Sequence, residues 1–548
     1  FLHQDLWKSG WFQLVKRRVT AQQHLSQISI YQDEGECNDF MQDAYSRIRA
    51  SVSSNSTAHL PSTLPRPAQL HHARASLPSP AGDAYLQGRG RQATVEHLLD
   101  DIAPALNGQN SSSRYWGFVT GAVLPVAEVA DNLVSAYDQN VQVHLPGQTI
   151  ATEVEDAALR MLLDVLRLGP AEGWSGRTFT TGGYHEQHPG PGMRTGGCLV
   201  HQALGGWKTA SELGILAACL RAGVKEIRVL TSMGHSSLSK AASVVGLGSA
   251  SVHELPHSDD EPWRLDLDAV HRELQQDGVA CIIALSAGEV NTGRFATQGL
   301  EDMQRLRQMA DQYGAWIHVD GAFGIFARAL PETDQFSRLH QTAAGLELAD
   351  SITVDGHKLL NVPYDCGVFF THQASILTSV CRNPNAAYLS SKAADIQSPL
   401  NVGLENSRRF RALPAYAVLL SEGREGLAEM FARMVHLARG IAGIVQFSPD
   451  YFLLPDSQGK EYGNMGLGDT HICVLFRAKD DSLNDVLVEK INAMGSWYVS
   501  ATKWKGQKAV RVAVANWRID HEEDLEVVRR SLASIAGEHK TGKKSTSW

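Results

Sequence analysis

The chain has 548 residues, a formal net charge of -9 and a pI near 6.2. It is long enough to bury one large core with smaller flanking pieces, and it offers no basic surface for nucleic acid or an anionic membrane. Its seven cysteines, at 37, 198, 219, 281, 366, 381 and 473, form no C-x-x-C pair, which argues against a zinc ribbon or disulfide framework, predicts no metal, and suits a reducing compartment.

No apolar run approaches the length that crosses a bilayer and no signal-like start is visible, so a cytoplasmic protein without membrane contact is expected. Phe1 in place of Met reads as a fragment or an imperfect gene model. Residues 1 to 50 carry some amphipathic character (Leu6, Trp7, Trp11, Phe12, Leu14, Val15), either docking on the body or lying outside the native sequence. Residues 51 to 80 are rich in Ser, Pro, Ala and His and read as a linker, which makes 1–85 a poorly ordered extension. A helical pattern runs from Gln92 to Leu106. Next come aromatic residues beside glycines, Tyr115-Trp116-Gly117-Phe118, which either wall an apolar pocket or make an ordinary packed turn. Val126 to Asn140 and Thr149 to Leu168 are amphipathic helices, and an N-terminal helical segment is expected over 86–160.

A large domain is expected over 161–400. Phe179-Thr180-Thr181-Gly182 leads into Gly183 to Gly192, whose two prolines and three glycines exclude a helix. Glu212 to Ala222 reads as a helix and Ile227 to Thr231 as a strand, followed by Met233-Gly234-His235-Ser236-Ser237. Cys281 to Ser286 is a buried strand, followed by the glycine-flanked turn that holds Thr292, and then by a helix from Thr297 to Tyr313. The stretch Trp316 to Phe326, WIHVDGAFGIF, is a strand ending in Asp320 with small residues, Ala322 among them, beside it. An acid at the carboxyl end of a buried strand needs a cationic or hydrogen-bonding partner.

Ser351 to Val354 is a β-branched strand that Asp355-Gly356 should turn, presenting His357 and Lys358 before a second apolar strand, Gly367 to Phe370. A lysine held between two buried strands is partly desolvated, and desolvation makes an amine available as a nucleophile toward an aldehyde. The alternative is a solvated turn lysine. Alternating strand and helix predicts an α/β fold with a mostly parallel doubly wound sheet, helices on both faces and ligand at the carboxyl ends of the strands. A long helix, Pro414 to Gly440, with strands at Thr470 to Arg477 and Val510 to Ala515, predicts a small C-terminal α+β domain over 401–536. Residues 537–548 read as a disordered Lys- and Ser-rich tail.

The strand-ending acid and the lysine after Gly-His together resemble the pyridoxal-phosphate-dependent amino acid decarboxylases of group II, which include glutamate, aromatic amino acid and tyrosine decarboxylases. The likeness spans Tyr115 to Ile519 and leans toward fungal-type members. It implies fold type I, pyridoxal 5'-phosphate (PLP) as cofactor and a homodimer to which the helices 126–140 and 149–168 contribute. In that pattern Lys358 carries the cofactor as a Schiff base and Asp320 keeps the ring nitrogen protonated, which makes the ring an electron sink. His235 stacks on the ring, Thr292 lies near its ring oxygen, Ala322 lets the ring lie flat, and His357 accompanies the lysine. Thr181 and Gly182 lead to the phosphate, and Ser113 to Gly121 line the substrate entrance.

The resemblance makes Lys358, His235 and Asp320 catalytic, and the implied reaction turns an L-amino acid into its amine and carbon dioxide. Arg511 is a candidate for the substrate carboxylate, and Arg408, Arg409 and Arg411 read equally as salt-bridge formers or ligands. The family's mobile catalytic loop often supplies a tyrosine, but no Tyr or His occurs from Leu389 to Leu404, which leaves Tyr388, another residue or water as proton donor. Aminotransfer, aldehyde-forming oxidation and lysis share Lys358 and Asp320. A chain that cannot hold phosphate, or a purely structural role, completes the alternatives.

The phosphate segment departs from the family pattern, in which small residues, a Ser and an Asn open a helix. One choice of synonymous codons for Gly183 to Cys198, read one nucleotide on, gives ATTSNILGLACGRED, the expected helix. The reading is that about Gly183 to Gly206 are a frameshifted translation, and genomic sequence lacking that frame would refute it.

Overall fold

The computed structural model describes residues 34–56, 62–82, 85–182, 210–381, 396–455 and 467–542. It divides the chain into two compact units, 1–111 and 112–548. The 183–206 segment and Tyr388 lie outside the described residues.

In the first unit the expected linker contains structure. A helix Glu34–Ser56 reaches into it, and a second, Pro67–Ser76, follows. Pro67 sits in the first turn, where its missing N–H costs nothing, and the Arg66 N–H donates to Gln69 Oε1 at 2.8 Å. Pro67, in a stretch whose prolines read as breakers, therefore marks a helix start. The 92–106 pattern is an α-helix Arg91–Glu96 that widens into a π-helix His97–Ile102 and ends as a 3-10 turn Ala103–Ala105.

The second unit is built on a seven-stranded sheet. In chain order its strands are β1 Gly176–Thr180, β2 Glu226–Thr231, β3 Val252–Glu254, β4 Val279–Ser286, β5 Trp316–Asp320, β6 Ser351–Asp355 and β7 Gly367–Thr371, with spatial order β1-β7-β6-β5-β4-β2-β3. From β6 to β3 every neighbour is parallel, and β7 alone runs against both of its neighbours. Both faces are buried, as a parallel sheet requires. On β4, Cys281, Ile283 and Leu285 enter the main core with Val270, Met303 and Leu306 from the helices Leu267–Leu274 and Leu300–Tyr313. Ile282 and Ala284 alternate with them and pack with Ile215 and Cys219 on the opposite face. The helix expected over 212–222 is two pieces, because Gly214 adopts φ 77° between Ala210–Leu213 and Ile215–Ala222.

The carboxyl-terminal part forms an antiparallel sheet of β8 Tyr451–Leu454, β9 Cys473–Ala478, β10 Ser500–Trp504 and β11 Gln507–Ala513, ordered β10-β11-β9-β8. The helices Ala412–Gln446, interrupted at Gly423, and His521–Thr541 accompany it. The last of these extends into the expected tail, because Asp520 caps its start and Gly542 ends it in the left-handed region. No helix among the described residues is long and apolar enough to cross a membrane.

The turn after β5 is pressed onto the end of β4: a Cβ on Gly324 would lie 1.9 Å from the Ala287 carbonyl oxygen. Gly324→Ala is therefore expected to lower the melting temperature, at a cost of about 1–3 kcal/mol, because backbone must move to admit the methyl. Thermal denaturation checks this, and an unchanged melting temperature contradicts it.

Candidate active site

Sheet register fixes where the acids emerge. Ser286, Asp320 and Thr353 are neighbours across β4, β5 and β6, so Asp320 and the two-residues-later Asp355 leave the same carboxyl edge. The Asp320 carboxylate accepts from the Ala322 N–H at 3.2 Å, and the Ala322 carbonyl accepts from the Asp355 N–H at 3.2 Å. The turn after β5 is thereby tied to the end of β6.

Past Asp355 the chain makes one helical turn, Gly356–Leu359, instead of a simple reversal. That turn swings Lys358 back, and its Nζ lies 2.8 Å from Asp355 Oδ2 and 5.8 Å from the Phe323 ring centre. The Lys358 side chain is only 22% exposed. The His357 Nδ1 is 2.8 Å from the Cys366 carbonyl and its ring lies 4.4 Å from that of Tyr364. Burial holds the His357 imidazole below its ordinary value.

His235 caps the helix Ser236–Val244, its Nδ1 facing the Ser237 N–H at 3.3 Å and the Ser237 hydroxyl at 2.7 Å. Burial lowers the affinity of this imidazole for a proton; the charges of Asp320 and Asp355 oppose that shift, and those of Lys358 and Arg511 reinforce it. His235 follows the carboxyl end of β2, on the same side of the parallel sheet as Asp320 and Asp355. The amine, the strand-end acid and the imidazole picked out from sequence share a neighbourhood.

Arg511 is buried beside them, its Nη2 donating to the Gly117 carbonyl at 2.7 Å while its Nε is buried without a partner. Segment 115–121 closes the same region. Tyr115 stacks on Tyr498 at 4.8 Å, and a Cβ on Gly121 would lie 2.2 Å from the Lys358 carbonyl. At the end of β1, a Cβ on Gly182 would meet His357 Cε1 at 3.1 Å and Asp355 Oδ1 at 3.5 Å. The Thr180 hydroxyl next to it is buried without a partner.

Other positions do local work. The Thr292 hydroxyl and N–H both donate to Glu289 Oε2, at 2.9 and 2.8 Å. Arg408 pairs with Glu155 at 2.9 Å and donates to the Phe179 carbonyl at 3.0 Å, Arg409 pairs with Asp131, and Arg411 pairs with Asp365. Their alternatives resolve to salt bridges. A cleft of about 610 Å3, lined by Trp263, Arg294, Arg338, Asp469 and Trp504 among others, includes none of Lys358, Asp320 or His235.

Sequence reasoning missed Asp355 as the lysine's partner, although an acid three residues before a lysine in one helical turn is a recognisable pairing. It also missed Asn361, fully buried at φ 56°. Its Oδ1 accepts from the Ala122 and Trp517 N–H groups, and its Nδ2 donates to the Leu359 and Ala515 carbonyls. One side chain therefore ties the lysine turn to the entrance segment and to the strand end after β11.

His471, fully buried with its ring parallel to Phe323, has neither ring nitrogen hydrogen-bonded, and burial pushes it down to about 3. Folding therefore excludes a proton that the unfolded chain accepts near pH 6.5. Stability should be full above that value and fall as the pH drops through it toward 3, by about 2–3 kcal/mol near pH 4.5. His471→Leu should flatten this loss in acid denaturation series, and an unchanged pH slope contradicts the assignment.

Lys358 and the strand-end acid Asp320 thus stand at the carboxyl edge of a parallel sheet. Residues 223–464 match the family model described as pyridoxal-dependent decarboxylase conserved domain. Over 402 residues the chain is 26% identical to an L-2,4-diaminobutyrate decarboxylase of Acinetobacter baumannii, covering 69% of this chain and 71% of that one. To tyrosine/DOPA decarboxylase 5 of Papaver somniferum it is 23% identical, covering 87% of each. The crystal structure of Oryza sativa TDC with PLP and tryptamine superposes with a TM-score of 0.74 at 20% identity, covering 94% of this chain and 99% of that one.

Proposed function

We propose that the chain is a PLP-dependent carboxy-lyase that converts an L-amino acid to its amine and carbon dioxide. The observation that carries this reading is that Asp320 and Asp355 leave the same carboxyl edge of the parallel sheet, with the Lys358 amine held there 2.8 Å from Asp355. The residues present fit the cofactor: an amine for its aldehyde, an acid for its ring nitrogen, glycine and alanine where a flat ring needs room, and a partnerless buried hydroxyl at Thr180. When bound, PLP supplies an electron sink for the bond between Cα and the carboxylate.

The chain supplies the rest. Lys358 is the amine that would hold the aldehyde carbon, and Asp320 would hold a proton at the ring nitrogen, its carboxylate aimed by the Ala322 N–H. His235, whose proton affinity is lowered by desolvation, would offer a flat face to the ring, and the small side chain of Ala322 would leave room for it. Thr181 and Gly182 would border the phosphate. Arg511, its Nε without a partner, would hold the substrate carboxylate. Thr292 would act through Glu289 and His357 through the lysine turn.

A fungal-type homodimer in the cytoplasm is part of this reading. Val129, Leu133 and Tyr137 form an exposed apolar stripe along the helix Pro125–Ala136 and its cap, which suits a second copy. The test is a screen of amino acids for carbon dioxide release, run on the chain as it stands and on one with 183–206 restored to the alternative frame. Amine plus carbon dioxide is expected; aldehyde with ammonia would instead assign an oxidative outcome, and no turnover by either chain would refute the reading.

A further inference from the structure

Asp355 is buried to 4% exposure at the end of β6, the one acid shown in contact with Lys358 among the described residues. Its Oδ2 is 2.8 Å from Lys358 Nζ and 3.8 Å from His357 Nε2. Titratable groups that face this pair include His235, His357, Tyr364, Cys366 and Cys473, with Asp320 and Arg511 facing His235. Asp320 serves a different end of the site, so Asp355 is the acid left to the amine.

An ammonium has no lone pair and cannot attack a carbonyl carbon. We propose that Asp355 is a positioning residue that clamps the Lys358 ammonium against the end of β6 until an aldehyde arrives, and then accepts the proton the amine sheds. One proton passes from nitrogen to the Asp355 carboxylate, and the freed lone pair bonds to the aldehyde carbon. The carbonyl oxygen then leaves as water while the carbon–nitrogen double bond forms, with no change of oxidation state. The aldehyde is the one PLP carries, so the inference rests on the function proposed above. At 2.8 Å Asp355 Oδ2 and Lys358 Nζ form a charge-assisted hydrogen bond that ties up the amine until it is displaced.

The test uses the full chain free of cofactor. Limiting acetic anhydride is added at one neutral pH, and acetylation of Lys358 is read by peptide mass spectrometry against exposed Lys503 in the same sample. Asp355→Asn should speed Lys358 acetylation by about tenfold relative to Lys503, and Asp355→Glu should restore the slow rate. An unchanged ratio in Asp355→Asn overturns the proposal. Asp355→Ser is the second uncharged variant. In the unsubstituted chain Lys358 should react more slowly than Lys503, and equal reactivity there overturns the proposal without any variant. A chain that behaves as expected here but never captures PLP keeps the clamp and loses the proposed function; the converse loses only the clamp.

Discussion

Lys358→Ala should leave a folded chain that releases no measurable carbon dioxide from any amino acid and shows no visible absorbance from lysine-bound PLP. No other described lysine is placed to substitute: Lys358 alone reaches the carboxyl edge, 2.8 Å from Asp355 and facing Phe323. The side chain forms a covalent link, so its loss removes a bond and not a contact, and the effect should reach the detection limit. Unaltered absorbance and turnover in this variant would remove the lysine from the mechanism.

The second large effect is expected at Asp320. Its carboxylate is oriented by the Ala322 N–H, and its charge is felt at His235. Asp320→Asn keeps the shape and the hydrogen bond from Ala322 but removes the charge that would pair with a protonated ring nitrogen. Removing one partner of a buried ion pair costs about 3–5 kcal/mol, which corresponds to roughly two to four orders of magnitude in rate. The variant should release carbon dioxide at about a hundredth of the parent rate or less, and should lose PLP on dialysis where the parent retains it. Parent-like turnover would mean that another group serves the ring nitrogen.

The sheet was legible because its strands are runs of one kind. Ser351 to Val354 and Trp316 to Asp320 are apolar and β-branched, and both lie within one residue of the strands observed. What periodicity does not encode is the direction a side chain takes after the strand ends. Lys358 was legible as a residue, but its contact with Asp355 depends on a single helical turn at Gly356–Leu359 that a Gly-containing sequence did not announce. Arg408 was undecidable alone because its partner, Glu155, lies far back in the chain. Asn361 looked like an ordinary loop residue, and only the meeting of three backbone segments makes it a hub. The proline-rich stretch failed for a local reason: proline forbids a helix interior but suits a helix start.

The central claim is that one cofactor site lies between the amine of Lys358 and the carboxylate of Asp320. Borohydride reduction of the PLP-loaded chain, followed by peptide mapping, tests it most directly. The account predicts the reduced cofactor's mass on the peptide that contains Lys358 and its loss from that peptide in Lys358→Ala. Label on a different lysine, or on none in a chain that has bound PLP, would contradict it.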